Sequence, residues 1–132
     1  MILIGHNGPF GLGDKPGAIC GRDWKPEGGD YGDPDLQAAI AEIQSLDKNI
    51  SLVTFGHMHH ILKHPYGERR TIVDVQKDTI YLNAACVPRI TKHSDEVRRS
   101  FSLVSLDQGN VANISLVWLD QNFAIYSNET LY

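Results

Sequence analysis

Ser51-Leu52-Val53-Thr54-Phe55-Gly56-His57-Met58-His59-His60 is the stretch on which the reading of the chain turns. Its first five residues make a mainly apolar run, with β-branched members, and read as a buried strand. Three histidines then fall within four residues, in a chain that has six. Residues two apart cannot share a helix face, which needs spacings of three or four. At a strand tip His57 and His59 point to opposite sides. That suits two neighbouring metal ions, one imidazole to each, better than one ion held by both. Gly56 is expected to supply the sharp turn that brings them there. The competing reading is a solvated polar loop.

Upstream, Ile2-Leu3-Ile4 reads as a second strand that breaks into Gly5-His6-Asn7-Gly8-Pro9. A strand this close to the first residue suggests a neighbouring segment, either upstream or on another chain. Phe10 to Asp33 is rich in Gly, Asp and Pro, and reads as a long loop. Phe10, Leu12, Ile19, Trp24 and Tyr31 punctuate it and argue that it is ordered. Asp33 is a helix N-cap, Pro34 a first helical residue, and Asp35 complements the helix dipole. Leu36, Ala39, Ile40, Ile43 and Leu46 recur at helical spacing, and Lys48-Asn49 closes the helix. Strand, helix and strand make a β-α-β unit, whose strands are parallel with a right-handed crossover. Ligands bind at the C-terminal edge of such strands. His6, His57 and His59 therefore converge there and are the candidate metal ligands.

Beyond the histidines, 71–75 and 79–83 read as a hairpin across Gln76-Lys77-Asp78. Residues 101–106 and 111–119 read as another, across Asp107-Gln108-Gly109-Asn110. The last residues, 120–132, show no period and are expected to be a tail. The chain is thus expected to be one domain over 1–119 with that tail.

Composition sets bounds. The chain has 132 residues, a 42% hydrophobic fraction and a net charge of −4 from 12 basic and 16 acidic residues. No basic stripe recommends nucleic acid as a partner. No apolar run is long enough to span a bilayer, and no signal peptide is visible. Cys20 and Cys86 make no paired framework, so a reduced, cytoplasmic location is expected. The Asn-x-Ser/Thr matches at Asn49, Asn113 and Asn128 are read as chance.

Gly5-His6-Asn7-Gly8-Pro9 after one strand and Gly56-His57-Met58-His59 after the next resemble the C-terminal half of calcineurin-like metallophosphoesterases. The likeness continues in order through Asn83-Ala84-Ala85-Cys86-Val87-Pro88-Arg89. With Cys20-Gly21-Arg22-Asp23-Trp24, the wording is most similar to a branch found in cyanobacteria and plastids. The resemblance implies an α/β fold, here part of a four-layer β-sandwich flanked by helices. It implies hydrolysis of phosphate esters by two divalent ions, Mn, Fe or Zn. His6 and His57 would hold one ion and His59 the other. Asn7 and Arg89 would contact the substrate. The family's first three motifs, with most of the carboxylates, a bridging Asp and the catalytic histidine, have no counterpart in these residues. The missing N-terminal half is therefore an expected partner, and the isolated chain is expected to be inactive.

Other residues are read more plainly. His60, His64 and His93 are taken as solvated loop histidines. Arg89 is either a phosphate grip or a surface salt bridge. Arg22 and Asp23 are a substrate loop or a structural knot, the knot being favoured. Cys86 is taken as a small hydrophobe. Two further functions stay open: a non-catalytic fragment, or a small His-rich module around a structural ion.

Overall fold

In the computed structural model, which describes residues 1–132, the chain divides into two compact units, Met1–Ala85 and Cys86–Tyr132. The fold is mixed α/β and mostly sheet, with two four-stranded sheets and one helix. No helix is long and apolar enough to cross a membrane.

The first unit holds β1 (Ile2–Ile4), α1 (Pro34–Ser45), β2 (Leu52–Phe55), β3 (Val73–Gln76) and β4 (Thr79–Asn83). Its sheet runs in the order β1-β2-β4-β3. β1 and β2 are parallel, with Leu3 opposite Val53, as the β-α-β reading requires. β3 and β4 form the expected hairpin, with Gln76 opposite Thr79. Lys77 in the turn takes a φ of 54°. β4 also pairs in parallel with β2, placing Tyr81 opposite Val53. Three parallel strands therefore end on one edge. All of β4 is buried, as a central strand should be.

Capping sets where α1 begins. The Asp33 carboxylate accepts from the N–H groups of Asp35 and Leu36 at 2.8 and 3.2 Å. Ile40 is buried in a core with Val53, Phe55 and Tyr81, and Leu36 and Ile43 pack against it. Ala39 and Leu46, expected on the same face, are exposed. Leu46 follows the last helical residue, so it leaves the apolar stripe. The 10–33 loop is ordered and contributes Leu12, Ile19 and Cys20 to this core. Ile40 is only 2% exposed, so Ile40→Ala is expected to cost about 2–5 kcal/mol, read from urea denaturation. Wild-type stability in that variant would mean the helix does not anchor the unit.

The second unit holds β5 (Ile90–His93), β6 (Glu96–Asp107), β7 (Asn110–Leu119) and β8 (Ile125–Thr130), in that order across one antiparallel sheet. The hairpin read from 101–119 is β6 and β7, and Asp107 opposes Asn110. Gln108 and Gly109 carry the positive φ values of 47° and 83° that a tight two-residue turn demands. The tail expected over 120–132 is corrected: it contains β8, paired with β7. Every β8 residue is exposed, so no alternation of burial marks the strand in the sequence.

Candidate functional site

His6 follows β1, His57 and His59 follow β2, and Ala84 follows β4, so all lie at the C-terminal edge of the parallel strands. The backbone ties two of these tips together. Gly5 donates to the Thr54 carbonyl at 2.9 Å and Gly56 to the His6 carbonyl at 3.1 Å. The His6 and His57 rings come to 5.0 Å between centroids, inclined at 63°. Both side chains are exposed. The sharp turn falls on His57, not on Gly56 as expected. His57 has a φ of 68°, and Met58 N–H returns to the Gly56 carbonyl at 2.9 Å. This is the rarer, positive-φ kind of γ-turn. Histidine tolerates that region better than branched residues do.

His59 is exposed and lines a cleft of about 120 Å³ that His57 also borders. No group of three or more His, Cys, Asp or Glu side chains is gathered in a way that could hold one ion. The structure thus joins His6 to His57, and His57 and His59 line one cleft.

His60 corrects its reading as a solvated loop residue. It is buried, and its Nε2 lies 2.8 Å from the Asn83 carbonyl oxygen. Asn83 is itself buried at the end of β4. Its amide donates to the Met58 carbonyl at 2.6 Å, and its Oδ1 accepts from Ala85 N–H at 3.0 Å. One side chain therefore fixes the loop between His57 and His59. Its position in an Asn-containing turn after a strand was the available signal.

Arg70 was not singled out in the sequence, yet it holds the site from beneath. It is buried and donates to the carbonyls of His59, Pro16, Ala18 and Gly21 at 2.6–3.0 Å. Its Nη2 forms an ion pair with Asp23 at 3.3 Å that lacks hydrogen-bond geometry. Burial lowers the guanidinium below its ordinary pKa, and the Asp23 charge opposes that shift. Asp23 also accepts from Lys63 N–H at 2.7 Å. Arg22 donates twice to the Gly28 carbonyl, at 2.9 and 2.7 Å. Arg22 and Asp23 are therefore the structural knot that the sequence favoured.

Asn7, expected at the substrate, directs its amide to the Tyr31 carbonyl at 2.6 Å and accepts from Gly8 N–H at 2.9 Å. It positions the loop bearing Tyr31, whose ring stacks on His57 at 6.1 Å. Gly8 is required there, because a Cβ would overlap the Cys20 sulfur and the Phe55 ring. Arg89 lies in the second unit, exposed, with its carbonyl accepting from Ser100 N–H at 2.8 Å. His64 and His93 are exposed, as expected. Cys86 is half-buried and free. Burial, reinforced by the Asp30 charge, pushes the Cys20 thiol up to about 12, so it is no nucleophile at neutral pH.

No protein-family model, curated protein or solved structure matches the chain.

Proposed function

We propose that this chain carries the last two ligand segments of a metal-dependent phosphoesterase, with His6, His57 and His59 as its nitrogen ligands. One observation supports this most: two exposed imidazoles 5.0 Å apart where two parallel strands end. Imidazole suits Zn, Fe and Mn. The exposed His6 and His57 rings fit the nitrogen half of such a ligand set, while no carboxylates are gathered with them. Divalent ions there would neutralise the charge of a phosphate ester and acidify the attacking water. The chain's own residues act by placement: the γ-turn aims His57, Asn83 fixes the loop, and Arg70 holds the floor under His59. In this proposal the fold is the partial four-layer sandwich of that family. The remaining ligands come from a further polypeptide segment or chain that extends the sheet at β1. Two features favour that edge. β1 is an outer strand of its sheet, and an edge strand presents unpaired N–H and C=O groups to which a further strand can bond. Ile4 within it is 83% exposed.

The test is a Mn or Zn titration followed by NMR of the histidine ring protons. The His6 and His57 signals are expected to shift or broaden together at micromolar to millimolar metal. His57→Ala should weaken binding by about tenfold or more. Shifts confined to His64 or His93 would overturn the assignment.

A further inference from the structure

The 10–33 loop buries Leu12, Ile19 and Cys20, yet leaves Trp24 and Tyr31 39% and 47% exposed. Their rings are not scattered. Trp24 meets Tyr31 edge-to-face at 4.8 Å, and Tyr31 stacks on His57 at 6.1 Å and 11°. The rings lead without a break to the His6–His57 pair. Aromatic rings gathered at the surface are a common feature of binding sites. Here it is held rigidly, since Arg70 grips three carbonyls of this loop and Asp23 ties its Trp24 end to Lys63. Such prior ordering removes an entropic cost from binding.

The cleft beside His57 is lined by the apolar Trp24, Met58 and Ile61 and by His57, His59 and Lys63. Asp23 also borders it, but its charge is already paired with Arg70. The cleft therefore brings apolar and aromatic side chains together with two imidazoles and one lysine. Its volume of about 120 Å³ suits one ring rather than a purine nucleotide, given that drug-sized ligands occupy ~300 Å³ or more.

We infer that this cleft binds the single-ring aryl group of an aryl phosphate, with the ring against Trp24 and the phosphate toward Lys63 and the imidazoles. An aryl ring offset against an indole gains attraction beyond its buried area. Lys63 supplies a point charge for the anion. The assignment of the phosphate as the reacting group rests on the phosphoesterase reading; the ring-binding surface stands without it.

The experiment titrates the Trp118→Phe protein, in which Trp24 is the remaining tryptophan, with phenyl phosphate, glycerol 2-phosphate and inorganic phosphate. Each titration is run in EDTA and again with Mn, and followed by Trp24 emission and by calorimetry. Phenyl phosphate is expected to bind about tenfold or more tightly than glycerol 2-phosphate, in both conditions. By calorimetry, Trp24→Leu should abolish that preference, and Lys63→Met should weaken both esters alike. Circular dichroism verifies that each variant is folded. Equal affinity for the two esters, or an aryl preference that survives Trp24→Leu, would overturn the inference. An aryl preference in EDTA without any effect of Mn would count against the metal reading and leave the cleft standing. Mn binding at His6 and His57 without an aryl preference would do the reverse.

Discussion

Replacing Arg70 with Met is expected to destabilise the first unit by about 3–5 kcal/mol. That is a large part of the ~5–15 kcal/mol that holds most domains together. The reason lies in what the side chain leaves behind. Four carbonyls, of His59, Pro16, Ala18 and Gly21, lose a donor at once. The Ala18 carbonyl keeps Gly21 N–H, but the Gly21 carbonyl is buried, and a buried acceptor left without a partner carries a desolvation cost. Asp23, itself buried, loses its counter-charge. Methionine keeps the stem's packing, so the loss reports the guanidinium. Urea denaturation followed by Trp24 emission, in the Trp118→Phe background, reads this unit directly. A second step makes the cause specific. Asp23→Asn should be destabilising alone but should restore part of the stability when combined with Arg70→Met, because it removes the orphaned charge. Strictly additive losses would show that Arg70 acts through the carbonyls alone. A loss under about 1 kcal/mol would show the knot to be no more than a surface pair.

The contrast between Arg70 and His57 shows what was legible in the sequence. The β-α-β unit follows from local signals: a capped helix at Asp33-Pro34 and apolar runs on either side. Parallel topology then brings His6 to His57 with no further information, and the rings do meet. Arg70 follows another arginine in a polar stretch, which locally resembles any solvated loop. Its burial is set by carbonyls some fifty positions earlier in the chain. No periodicity encodes a bond to a distant backbone. His60 is hidden for a similar reason, since its partner is the Asn83 carbonyl at the end of β4. β8 was missed because it presents no apolar face and is specified by pairing with β7. Glycine is the usual occupant of positive φ, so the sequence points to Gly56 for the turn. The conformation fell one residue later, on the histidine whose ring it places.

The isolated chain of 132 residues is expected to show no Mn-dependent phosphoesterase turnover above a His57→Ala control. The argument is a count of charges. His6, His57 and His59 are neutral ligands when they bind a cation, and bring no negative charge to hold two divalent ions close together. Carboxylates could do so, but none is gathered with the histidines, and those of the adjoining loop already hold other partners. Asp23 is paired with Arg70 and accepts from Lys63 N–H. Asp30 accepts from Gly11 N–H at 2.7 Å and Gly32 N–H at 2.8 Å. Asp33 caps α1. Without the second positive centre, the charge developing on the ester loses several kcal/mol of stabilisation. Each ~1.4 kcal/mol is a factor of ten, so about 4 kcal/mol already costs a thousandfold. Misplaced reactants lower the rate further. The assay uses a chromogenic monoester and diester with added Mn, for the chain alone and for its His57→Ala variant. Single-ion binding at His6 and His57 without turnover is the expected pattern. Turnover well above the control would overturn the half-site reading. It would mean that one of these aspartates joins the histidines, or that a second copy of the chain supplies the missing carboxylate.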